Sequence, residues 1–169
     1  LRVVRSNSDL IITTGKTARS EQLRASQLAP MAIITTKSDS LQIPATKQNS
    51  AQPVYVCSKV APEQPFRNTG ATWIETASDD MADIVREVIA RTDSSNTLIE
   101  SGLLTFGALT SEDLVNEVCL TVTNADSRES ASQACENFLR AFDVTAEQVQ
   151  LLNAGNTWLF RFRVSRQSL

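Results

Sequence analysis

Short apolar runs rich in β-branched residues recur along the chain, each closed by a turn-forming or hydroxyl-rich stretch. Asp9-Leu10-Ile11-Ile12-Thr13-Thr14 stops at Gly15, and Pro30-Met31-Ala32-Ile33-Ile34-Thr35-Thr36 runs into Lys37-Ser38. Pro53-Val54-Tyr55-Val56-Cys57, Ala71-Thr72-Trp73-Ile74-Glu75 and the apolar start of 96–100 follow the same plan. Runs this short, bounded in this way, are the mark of strands buried on both faces. Between them, Ser78-Asp79-Asp80-Met81 opens a helix, with Ser78 as its expected cap and acids in the first turn. Met81, Ile84, Val85, Val88 and Ile89 then fall at helical spacing, and Met81 reads as core. Strands alternating with helices or long crossovers define an α/β fold with a largely parallel sheet.

The C-terminal third changes pattern. Residues 117–123 read as a further strand, and Ala134, Cys135, Phe138, Leu139 and Phe142 predict a helix over about 129–142. Val149-Gln150-Leu151-Leu152 is expected to pair with 158–164 across Asn153-Ala154-Gly155-Asn156, which is hairpin chemistry. The last strand alternates Trp158, Phe160, Phe162 and Val164 with Leu159, Arg161 and Arg163, so one face is solvated. The hairpin is expected to make the sheet mixed. Residues 37–52 and 58–70 read as irregular, and no internal repeat or second domain is visible.

Composition narrows the function classes. A length of 169 residues suits a single domain, and 41% apolar with 21% charged residues is ordinary for a soluble protein. The net charge of −3, with Lys and Arg scattered, argues against nucleic acid as a partner. No apolar run reaches the roughly 18 residues of a membrane span, and no signal peptide is visible. Cys57, Cys119 and Cys135 are too widely spaced for a disulfide framework or a zinc signature. Cys57 and Cys119 lie in apolar runs and are expected to be buried thiols, which fits a cytoplasmic protein. There is no histidine. That removes the commonest general base and every His-ligated metal site, so an enzyme built on this chain would draw its chemistry from a bound cofactor.

Three segments carry candidate site residues. In 96–109 a short strand leads through Glu100-Ser101-Gly102 into a helix start, whose free N–H groups suit a phosphate but also occur in an ordinary turn. In 15–21, Gly15 permits a bend, Thr17 can cap or bind, and Lys16, Arg19 and Arg24 add positive charge near the strand end; a solvated loop explains the same residues. Thr35-Thr36-Lys37-Ser38 suits phosphate, but such a run more often forms a plain loop.

Three stretches resemble the reductase domain of the bifunctional riboflavin-biosynthesis deaminase-reductase, a pyrimidine reductase with a dihydrofolate-reductase-like fold. They are Asp9-Leu10-Ile11-Ile12-Thr13-Thr14-Gly15-Lys16-Thr17-Ala18-Arg19-Ser20-Glu21, Leu98-Ile99-Glu100-Ser101-Gly102, and Leu114-Val115-Asn116-Glu117-Val118-Cys119-Leu120-Thr121-Val122. The first looks like a strand followed by Gly-x-x-Thr-x-x-x-acid. The second is similar to an apolar-apolar-Glu-Gly-Gly turn, and the third to a Leu-Val-Asp-Glu-Leu strand entry. The resemblance implies a three-layer α/β domain over 1–169 and hydride transfer from NADPH to a pyrimidine ribosylamine phosphate. Dihydrofolate reduction, or a relative that binds nucleotide without catalysis, are the alternatives. It further implies that Thr17, Glu21 and Thr36 bind the dinucleotide, together with the helix start at Gly102, Leu103, Leu104, Thr105, Phe106 and Gly107. Glu100 and Arg24 would meet the substrate, Arg24 at its phosphate, and no residue is assigned the chemistry itself. A homodimer is implied as well. The chain departs from the pattern at Ser101 and Asn116, and the family's first strand and its Asp-containing loop would lie before Leu1.

Overall fold

The computed structural model describes residues 2–21, 26–36, 41, 52–62 and 70–165. Its elements run α1 (Arg2–Ser6), β1 (Leu10–Thr14), α2 (Gly15–Ser20), β2 (Met31–Ile34), β3 (Val54–Ser58), β4 (Ala71–Glu75), α3 (Met81–Thr92) and β5 (Thr97–Glu100). They continue with α4 (Leu103–Thr110), β6 (Glu117–Thr123), α5 (Arg128–Ala141), β7 (Ala146–Ala154) and β8 (Thr157–Val164). The chain divides into two compact units, Leu1–Thr105 and Phe106–Leu169.

The first unit is built on a five-stranded sheet of order β4-β3-β2-β1-β5. Every pairing in it is parallel, with Ile11 opposite Met31 and Leu98, and Ile33 opposite Val56. The apolar runs at β1 and β2 are buried along their length, as expected for central parallel strands. On one face Ile11, Met31, Ile33 and Val54 pack with Ala29 and with Ala18 of α2. By the two-residue period, Leu10, Ile12, Ala32 and Cys57 point to the other face. Full burial of each such Leu or Ile contributes roughly 1.5–3 kcal/mol.

α3 buries Ala82, Ile84, Val85 and Val88 and meets β1. Its cap is Asp80 rather than Ser78: the Asp80 carboxylate accepts from the N–H groups of Ala82 and Asp83. Ser78 instead accepts from the Asp80 N–H, one step outside the helix. A carboxylate at the positive end of the helix dipole caps more strongly than a hydroxyl two residues upstream. At the N-terminal edge of the sheet, Asp9 Oδ2 accepts from Ser95 Oγ at 2.7 Å and from the N–H groups of Ser95 and Asn96, fastening β1 to β5.

The second unit is an antiparallel sheet of order β6-β8-β7, with α5 laid on one face. Ala131, Cys135 and Leu139 of α5 pack with Val118, Phe160 and Phe162, and Ser127 with Ser130 forms a capping box. The hairpin turns at Gly155, whose φ of 65 suits the tight two-residue connection. It pairs with β6 in this three-stranded sheet of its own, so the antiparallel part of the α/β fold hydrogen-bonds apart from the parallel part.

Cys119 corrects an expectation. It is exposed, not buried, because β6 alternates and Cys119 falls on the open face opposite Arg161, while Val118 takes the core. Cys57 is buried as expected. Two helices were not legible: α1, and α2 where a loop was the alternative. Among the described residues no helix is long and apolar enough to cross a membrane.

Candidate functional site

In a parallel sheet all C-terminal strand ends share one edge, and ligands settle where the strand order reverses. Here β1 is followed outward by β2, β3 and β4 on one side, and β5 returns to its other side. The reversal therefore lies between β1 and β5. The residues leaving those strands are Thr14-Gly15 and Ser101-Gly102, so two of the three sequence-predicted segments flank the same point.

On the β1 side, Thr14 caps α2 by accepting from the Thr17 N–H at 3.3 Å, and the two hydroxyls stand 3.2 Å apart. Thr17 is half-buried and Glu21, at the C-cap of α2, is exposed. Gly15 is held against β2: a Cβ there would lie 2.4 Å from Thr35 Oγ1. Its missing side chain serves the protein's own packing. Thr36, one residue beyond buried Thr35, is exposed at the same edge. Arg24 lies outside the described residues.

On the β5 side, Gly102 is different. A Cβ there would meet nothing within 4 Å, and its φ is ordinary. Gly15 and Gly107 face close neighbours, while Gly70 and Gly155 have positive φ. Gly102 thus has neither a close neighbour nor a positive φ to account for it. Helix geometry leaves the N–H groups of Gly102, Leu103, Leu104 and Thr105 without partners along α4. Leu103 and Leu104 are 61% and 92% exposed, and Thr105 is buried. Phe106 and Gly107 do not belong with them. Their N–H groups fall inside the helical ladder. The Phe106 ring packs on Phe138 and Phe142 at centroid distances of 5.2 and 4.9 Å, and a Cβ at Gly107 would meet the Phe142 ring at 3.3 Å. Both are spent on the core of the second unit.

Glu100 ends β5 in register with Thr13 of β1, so both side chains project from the same face. Its carboxylate is gripped by Arg5 of α1: Nε donates to Oε1 at 2.7 Å and Nη2 to Oε2 at 2.5 Å. The hydrogen bond to Glu100 raises the Arg5 pKa above its usual value against the cost of burial, and the charges of Glu100 and Glu21 add to the rise. Thr13, 1% exposed, has no hydrogen-bond partner for Oγ1 among the described residues. Arg5 is the residue that sequence reasoning missed. Its partner is 95 positions away, and nothing in the residues around Arg5 signals the pairing.

The fold is that of the dihydrofolate-reductase-like reductase domains. No family model matches the sequence, and no curated protein matches it by sequence. The likeness is structural. RibD of Acinetobacter baumannii superposes with a TM-score of 0.64 at 16% identity, covering 97% of this chain and 49% of that one. A pyrimidine reductase-like protein from Corynebacterium diphtheriae gives 0.66 at 15% identity, covering 97% and 79%. The diaminohydroxyphosphoribosylaminopyrimidine deaminase/5-amino-6-(5-phosphoribosylamino)uracil reductase of Thermotoga maritima gives 0.66 at 14% identity, covering 97% and 48%. The chain spans about half the length of the Acinetobacter and Thermotoga proteins. At these identities the likeness is one of fold.

Proposed function

We propose that this chain is a reductase domain of the pyrimidine-reductase type, binding NADPH at the C-terminal edge between β1 and β5. The observation that carries the reading is Gly102: open space at a helix start, at the C-terminal edge where the strand order reverses. A backbone without Cβ lets a pyrophosphate approach the free N–H groups of 102–105, and the helix dipole adds roughly 0.3–1 kcal/mol. The Thr17 and Thr36 hydroxyls and the Glu21 carboxylate complete the proposed dinucleotide contacts. Phe106 and Gly107 drop out of the set.

Bound NADPH would supply the hydride. The chain's own contribution is orientation, which supplies several kcal/mol in such reactions without a proton-transferring side chain. Glu100 would fix a pyrimidine ring by accepting from its N–H groups, and Arg24 would take the phosphate of a ribosylamine phosphate. The reductase activity for which the Thermotoga protein is named supports that substrate class.

A second reading, a relative that binds nucleotide without catalysis, is favoured by the Arg5 grip on both Glu100 oxygens. Titration of NADPH into the protein, followed by nicotinamide fluorescence, tests the first part of the proposal. Saturable binding is expected, and none at millimolar cofactor contradicts it. Binding without turnover of the ribosylaminopyrimidine or of dihydrofolate supports the second reading.

A further inference from the structure

The Arg5–Glu100 pair has the form of a ligand contact made by the protein itself. A guanidinium edge offers two parallel N–H donors, and the carboxylate receives one on each oxygen. We propose that Arg5 is an internal competitor at Glu100, a latch that holds the carboxylate until a ligand with a planar pair of N–H donors displaces it. The inference rests on reading Glu100 as a ligand-facing carboxylate.

Three observations make the pair releasable. The two side chains keep 28% and 17% exposure, so a freed Arg5 regains water readily, unlike a partner in a deeply buried pair. The helix that carries it has five residues, too few to be stable alone. Within that segment, Ser6 Oγ donates to Val3 O and Ser8 Oγ to Val4 O, both local bonds, and Val3 is 72% exposed. Among the described residues, Arg5 and the Asn96 side chain donating to Asn7 O both fasten this segment to β5 and its approach. Glu21 is a second carboxylate whose charge reaches Arg5. Its negative charge also favours the charged Arg5 guanidinium.

A ligand that needs Glu100 must then wait for the fraction of molecules in which Arg5 has let go, and its apparent affinity falls by that fraction. Removing the latch should strengthen binding, which is the opposite of what removing an ordinary site residue does.

The test uses benzamidinium, a planar two-donor fork, titrated by NMR into wild type, Arg5→Met and Glu100→Gln. Met keeps an apolar stem over the same surface while removing the donors. The expected result is binding about five- to tenfold tighter in Arg5→Met and lost in Glu100→Gln. Unchanged or weaker binding in Arg5→Met overturns the latch. Binding by Glu100→Gln equal to wild type removes the ligand-facing role of Glu100 as well, while NADPH binding at Gly102 is scored separately and can survive both results. A second readout needs no variant: the Arg5 Nε–H resonance of wild type should shift as benzamidinium saturates. A resonance that stays put while the ligand binds also overturns the latch.

Discussion

Gly15 and Thr35 are in such close approach that a Cβ on Gly15 would stand 2.4 Å from the Thr35 hydroxyl oxygen and 2.7 Å from its Cβ. The contact locks the first turn of α2 onto β2, and so sets where Thr14 and Thr17 sit at the sheet edge. Gly15→Ala is predicted to cost about 1–3 kcal/mol, the usual range for overpacking a filled site. Urea denaturation measures it, and a variant as stable as wild type would mean that β2 yields easily.

Thr13 sits beside Glu100 in register, its hydroxyl buried and, among the described residues, unpartnered. A buried group left without a hydrogen bond costs roughly 1–3 kcal/mol. Thr13→Val, which keeps the shape and removes the hydroxyl, is predicted to stabilise the protein by about 1 kcal/mol in thermal or urea unfolding. A loss of stability would reveal a partner for Oγ1.

The cysteines separate by access. Burial pushes the Cys57 thiol up to about 12 and Cys135 up to about 11, and both are buried. Cys119 is exposed, although partial burial raises its pKa also. Iodoacetamide at mildly alkaline pH should label Cys119 alone in the folded protein and all three after unfolding, as peptide mapping would read. Labelling of Cys57 under native conditions would contradict the sheet packing.

Asp9 gives an acid-side dependence. Its hydrogen bonds from the Ser95 side chain and from the Asn96 and Ser95 backbone lower its pKa below the ordinary 3.8. A carboxyl with a lowered folded pKa stabilises the fold above its unfolded value, and that contribution disappears as pH falls through the folded one. Asp9→Asn should therefore be less stable than wild type near neutral pH, and the gap should close as the pH is taken below 3.8. A gap that is independent of pH would place the effect in packing rather than in charge.

Much of the first unit was legible because its signals are local. The apolar runs at β1, β2 and β3 carry their own boundaries, and the stripe of α3 fixes its buried face. The reversal between β1 and β5 was not legible, since strand order is a property of pairings between distant segments. The same holds for Arg5, whose partner lies far along the chain. Phe106 and Gly107 looked like part of a ligand-binding helix start because sequence does not say where the first turn ends. In the structure that turn closes at Thr105, and the next two residues serve the ring cluster of Phe138 and Phe142. Cys119 was misplaced because its run is apolar enough to hide the alternation of β6.

The central claim is that Gly102 is a glycine for a ligand's sake. The measurement that tests it pairs thermal unfolding with NADPH titration for wild type and Gly102→Val. Nothing lies within 4 Å of the added Cβ, so the protein should stay folded, with a loss limited to glycine's advantage over valine at a helix N-cap, about 1 kcal/mol. NADPH affinity should fall at least tenfold, about 1.4 kcal/mol, as the side chain blocks approach to the free N–H groups of α4. Equal NADPH affinity in the two folded proteins would contradict the account.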